Sequence, residues 1–84
     1  MTPRQCRAGR ALTDLSQMQL AQLAGLGLST VVDFERSRRQ VSAEAVEAIA
    51  VALGSAGVDF IDENGGGAGV RLKNRDRPKR PPHR

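Results

Sequence analysis

Few side chains in this 84-residue chain have types and spacing that could do chemistry. The one cysteine, Cys6, sits beside Arg7, but the one histidine, His83, lies at the far end of the sequence. A thiol without a base to activate it reads as buried and inert. A single histidine with no Cys/His cluster supports no metal site. Gly65 to Gly69 has the glycine content of a phosphate loop, yet no Lys-Ser/Thr follows it and no strand-to-helix context frames it, so it is expected to be a flexible turn. No nucleophile is paired with a base anywhere, which argues against an enzyme and implies no cofactor. What remains is charge. Arg36, Arg38 and Arg39 form a basic run directly after a short helix-prone segment. Arginines there suit phosphate oxygens, in contacts that position a protein without reading sequence and that weaken steeply with salt. The plain alternative is a solvated surface.

Such contacts need an element to carry them, and Ser16 to Glu35 supplies it. Ser16 and Gln19 form a capping box, worth about 1 kcal/mol, that opens a helix over roughly 17–24. Leu20, Ala21, Leu23 and Ala24 are expected to be its apolar face, Leu15 to staple onto Leu20, and Gly25 to stop it. A further helix over roughly 28–36 turns Val31 and Phe34 inward. Two helices joined by so short a turn leave the second one projecting, which is how a small protein offers a helix to the DNA major groove. The alternative is a helical bundle that happens to share this spacing.

The flanking elements follow from similar signals. Thr2, Pro3 and Gln5 start a first helix that ends near Thr13 and Asp14, with Cys6, Ala8 and Leu12 inward and Gly9 allowing close contact. Ser42 caps a helix in which Ala43, Val46, Ile49, Ala50 and Leu53 recur at helical spacing, ended by Gly54 or Gly57. The period then changes. Val58 to Ile61 and Val70 to Leu72 are β-prone and predict a hairpin that must pack on the helices or on a second subunit. The expected organisation is a helical domain over 1–57, a hairpin or dimerisation arm over 58–72, and a disordered basic tail over 73–84.

Composition narrows the function. A chain this short buries only about 60% of its unfolded surface, leaving one small core and no deep cleft. Phe34 and Phe60 are the only aromatics, so that core must be aliphatic, and a homodimer would help it. A single cysteine suits a reducing cytoplasm, and no apolar run approaches a membrane span, so a cytoplasmic, nucleoid-associated protein without membrane contact is expected. The net charge of +4 divides unevenly: residues 71–84 carry seven Lys/Arg against one Asp, whereas residues 1–70 carry six against eight Asp/Glu. The basic character sits in the tail, so the isoelectric point alone says little about partners.

The run from Leu15 to Gly25, then Ser29 to Arg36, then Val41 to Leu53, resembles the Xre/Cro-like helix-turn-helix family of bacterial and phage regulators. The resemblance covers about residues 3–56, and the segment from Gly57 to Leu72 is similar to a C-terminal extension on small proteobacterial members. It implies a mainly α, four- to five-helix, lambda-repressor-like domain with a C-terminal β-hairpin, acting on double-stranded DNA as a dimeric repressor. It further implies that Gln17 contacts the DNA backbone, that Leu28, Ser29, Val32 and Asp33 sense bases, and that Arg38 and Arg39 lie near phosphates. Arg10 and Glu35 are placed for the ion pair common in the family.

This chain departs from the family at the presented helix, where Gly27 and Leu28 replace the usual Ser/Thr and polar or basic residue. Ser29 or Thr30 can bond to base or phosphate, and Leu28 can touch thymine methyl groups. A typical base-reading face carries Arg, Asn or Gln. The apolar Leu28/Val32 pair and the acidic Asp33 therefore keep a second reading open, that of an antiactivator or antitoxin-like module gripping another regulatory protein.

Overall fold

The computed structural model describes residues 1–63 and 65–73. Four helices are followed by a hairpin: α1 (Pro3–Thr13), α2 (Gln17–Ala24), α3 (Leu28–Glu35), α4 (Ala43–Ser55), β1 (Val58–Ile61) and β2 (Gly69–Leu72). Each boundary has a local cause. At α1 and α2 the caps are reciprocal, with Gln5 N–H donating to Thr2 Oγ1 and Gln19 N–H to Ser16 Oγ. The Gln5 and Gln19 carboxamide oxygens accept the backbone N–H of Thr2 and Ser16 in return. Ser42 caps α4 through the Ala45 N–H at 3.1 Å.

Gly25, with φ of +71°, closes α2 in the left-handed conformation that glycine adopts without strain. Leu26 N–H donates back to the Ala21 carbonyl at 2.9 Å, so the turn between α2 and α3 satisfies its own backbone. α4 runs through Gly54 and gives way at Gly57, whose φ is +109°.

The core is aliphatic, as the scarcity of aromatics requires. Cys6, Leu20, Ala21, Val31, Ile49, Ala52, Leu53 and Val58 are buried together, with Leu15, Ala24, Leu26, Phe34, Phe60 and Val70 packed around them. Gly9 is buried where a methyl would rest 3.4 Å from Leu53. Two expected core residues are not there. Leu23 is 59% exposed, because Leu20, Ala21 and Ala24 already define the buried stripe of α2 and Leu23 falls outside it. Leu12 is 40% exposed, in the last turn of α1.

β1 and β2 pair antiparallel, with Val58 opposite Leu72 and Phe60 opposite Val70. Their support comes from this chain's own helices. Gln5, buried on α1, donates through Nε2 to the Ile61 carbonyl at 3.2 Å and the Gly69 carbonyl at 2.9 Å. Lys73, just past β2, also ties the hairpin to the end of α4: its N–H donates to the Gly57 carbonyl and its Nζ to the Gly54 carbonyl. The hairpin thus packs against the helices of its own chain. The tail beyond Lys73, with His83, lies outside the described residues. No helix of the described residues is long and apolar enough to cross a membrane.

Candidate nucleic-acid interface

The presented helix, α3, is fixed from beneath by its last residue. Glu35 is buried, and both carboxylate oxygens are fully engaged. Oε1 accepts from Arg10 Nη2 at 2.8 Å and from Gln17 Nε2 at 3.0 Å. Oε2 accepts from Arg10 Nε at 2.7 Å and from the Cys6 thiol at 3.0 Å. Arg10 also donates to the Leu15 carbonyl at 3.2 Å, and Arg7 donates to the Glu35 carbonyl. One carboxylate therefore ties α1, α2 and α3 together. Burial pushes its pKa up, but the hydrogen bonds from Arg10, Cys6 and Gln17, with the guanidinium charge, outweigh that and hold it below its ordinary value. Burial pushes the Cys6 thiol well up, with the Glu35 hydrogen bond and charge adding to the effect. It stays a protonated donor, unsuited to nucleophilic work.

Val31 is buried against the core while Leu28 and Ser29 are exposed, and Thr30, Val32 and Asp33 are half-buried. Gly27 stands at the N-cap with no side-chain hydrogen bond. The nominated base-facing residues thus share one short element, and Leu28 is 39% exposed. Asp33 is not a free negative charge, because Arg39 Nε donates to its Oδ2 at 2.8 Å. Exposed ion pairs of this kind contribute about 0.2–1 kcal/mol, so Arg39 can be recruited elsewhere at little cost. Gln17 turns its side-chain amide onto Glu35 rather than outward. Arg36 stands exposed at the C-cap of α3, and Arg38 and Arg39 follow on the surface beyond Ser37, which takes φ of +53°.

The arrangement is a short helix, anchored below and exposed above, reached through a glycine-closed turn from a helix of equal length. The sequence matches the family model of the helix-turn-helix domain over residues 4–60. The chain belongs to that family. Helix-turn-helix domains place their second helix in the DNA major groove, and the match spans α1 to β1, including every nominated interface residue. No curated protein matches the chain.

Sequence reasoning named the Arg10–Glu35 pair through resemblance but missed that Cys6 and Gln17 complete it. It also missed Arg7, although Arg4, Arg7 and Arg10 recur at the three-residue spacing that places side chains on one helix face. The Asp33–Arg39 pair was invisible because it forms across a helix end, where sequence spacing does not set geometry.

Proposed function

We propose that this helix-turn-helix protein is a sequence-specific transcriptional regulator of the Xre/Cro-like kind. It acts as a homodimeric repressor that lays α3 of each subunit into the major groove of a palindromic operator. In this reading the two half-sites lie about 34 Å apart, one turn of the duplex. Leu28, Ser29, Thr30, Val32 and Asp33 face the bases from Gly27 onward, while Gln17, Arg36, Arg38 and Arg39 hold the backbone. Neither catalysis nor a cofactor enters the mechanism. The hairpin serves as an arm between subunits, and the basic tail adds sequence-independent attraction.

The observation that carries this reading is the anchoring of α3. Glu35 and Val31 fasten its inner side, so the outer side can meet a ligand without reorganising the domain. A binding selection from random duplexes tests it. The expected result is one enriched motif with two-fold symmetry, and a population with no enriched motif counts against it.

The half-exposed Leu28 favours a second reading, an apolar grip on another regulatory protein. Leu28→Arg separates the two. It preserves or raises general DNA affinity, and it destroys an apolar protein contact.

A further inference from the structure

The six Lys/Arg residues of positions 1–70 are all arginines, and they occupy two places: Arg4, Arg7 and Arg10 on α1, and Arg36, Arg38 and Arg39 after α3. These places meet. Arg4, Arg7, Arg10 and Arg36 line one cleft of about 870 Å³ together with Glu35 and Gln17. Among the described residues Glu35 is the one acidic residue lining it, against four arginines. That negative charge is already consumed by the paired hydrogen bonds from Arg10.

Three guanidinium groups remain. Arg7 spends one N–H on the Glu35 carbonyl at the C-terminal end of α3 and keeps its other donors. Among the described residues Arg4 and Arg36 have no side-chain hydrogen bond and no ion-pair partner, although both are exposed. Glu63 faces Arg4 from the hairpin side across a second depression, but it accepts the Gly67 N–H at 3.1 Å and forms no ion pair with Arg4. Like charges gathered in a body whose first 70 residues are net acidic repel one another, and a bound anion relieves that repulsion. Arginine's planar fork matches phosphate oxygens in pairs.

We propose that Arg4, Arg7 and Arg36 form a phosphate clamp, in which α1 grips a phosphodiester of the DNA backbone beside the groove that α3 enters. This rests on the DNA-binding reading above and extends it to an element outside the two helices of the motif. The clamp adds affinity and fixes register, and it reads no base.

The test measures the affinity of the full-length chain for duplex DNA across roughly 50–200 mM salt. It compares wild type with Arg4→Gln, Arg36→Gln and their double variant. Arg71→Gln serves as a charge control, because Arg71 pairs with Asp59 on the hairpin, away from the cleft. Among the described residues neither the Arg4 nor the Arg36 side chain bonds to the fold, so thermal melting of the double variant should match wild type. Loss of one phosphate contact reduces the steepness of log affinity against log salt by about 0.9. Arg4→Gln alone should show that loss equally on operator and unrelated duplexes, with Arg71→Gln unchanged and the double variant at least as shallow.

An unaltered slope in Arg4→Gln, or an equal change in Arg71→Gln, overturns the clamp while the DNA-binding reading, whose backbone contacts already include Arg36, stands. A wild-type chain with no duplex affinity ends both. A parallel titration with inorganic pyrophosphate, followed by NMR of the arginine side chains, separates the sources of phosphate. Saturation in wild type but not in the double variant, combined with unchanged DNA slopes, assigns the cleft to a free phosphorylated ligand and overturns the DNA assignment.

Discussion

The two ends of α3 obey opposite rules. At Glu35 every polar atom is committed: four hydrogen bonds converge on one carboxylate, and none of the described buried side-chain nitrogen or oxygen atoms lacks a partner. At Gly27 and Leu28 the helix starts with no side-chain cap, and an exposed leucine leads it. The buried end is over-determined and fixes where the helix lies. The exposed end is under-determined and is free to be selected for what it meets. A helix that only filled space would have no need of such asymmetry.

Breaking the buried end should have the largest effect. Arg10→Met leaves Glu35 as an uncompensated buried charge, which costs about 3–5 kcal/mol. A domain of this size has a total stability of similar order, so the variant should be largely unfolded by circular dichroism at ambient temperature. Arg10→Met combined with Glu35→Leu removes both charges and should recover most of the melting transition. If the single variant melts like wild type, the contrast drawn between the two ends is wrong.

Releasing the hairpin should cost less. Gln5→Met keeps the side-chain length but strands the carbonyls of Ile61 and Gly69, and it removes half of the first capping box. The expected loss is about 1–3 kcal/mol, with hydrogen-exchange protection falling in β1 and β2 before α2 and α3. Uniform loss of protection would mean that the hairpin and the helices are one cooperative unit.

The pH dependence sharpens the comparison further, since two groups of the buried end have shifted titrations. Glu35 is held below its ordinary pKa, so the stability it contributes is present above about pH 4.3, its unfolded value, and is lost as pH falls through its folded value. Cys6 is shifted the other way. Its contribution is complete below about pH 8.5 and declines above it, by up to about 1.4 kcal/mol per pH unit, as the unfolded thiol ionises while the folded one stays protonated. Cys6→Ser keeps a donor near Glu35 but does not titrate, so its alkaline decline should disappear in denaturant titrations at successive pH values.

The smallest effect is expected just past the anchored end. Ser37 adopts φ of +53°, and Ser37→Gly should raise stability by about 0.5–1 kcal/mol by relieving a left-handed backbone. A lower melting temperature would show that the Ser37 side chain does more than close the helix.

The fold was legible where a local rule had one solution. Thr2 with Gln5, Ser16 with Gln19, Ser42 and Gly25 mark helix ends through hydrogen bonds that span three or four residues, and each boundary appears where those residues place it. Leu12 and Leu23 were misread because helical spacing gives a face without saying how far the neighbours reach across it. The second role of Gln5, as the clamp of a hairpin some 60 residues later, had no local signature. At the interface, the anchoring pair was visible only through family resemblance. The Cys6 and Gln17 contacts, the Asp33–Arg39 pair and the arginine cleft depend on tertiary approach, which spacing alone does not report.

The central claim is that the outer face of α3 carries the function while its inner face only holds it in place. Ser29→Glu tests this most directly, because Ser29 is exposed and makes no side-chain hydrogen bond among the described residues. The variant's affinity for a selected operator should be measured by gel shift, alongside its melting curve. The account predicts an unchanged melt and abolished operator binding, since a carboxylate at that position faces acidic DNA. Operator binding equal to wild type, with the fold intact, would contradict it.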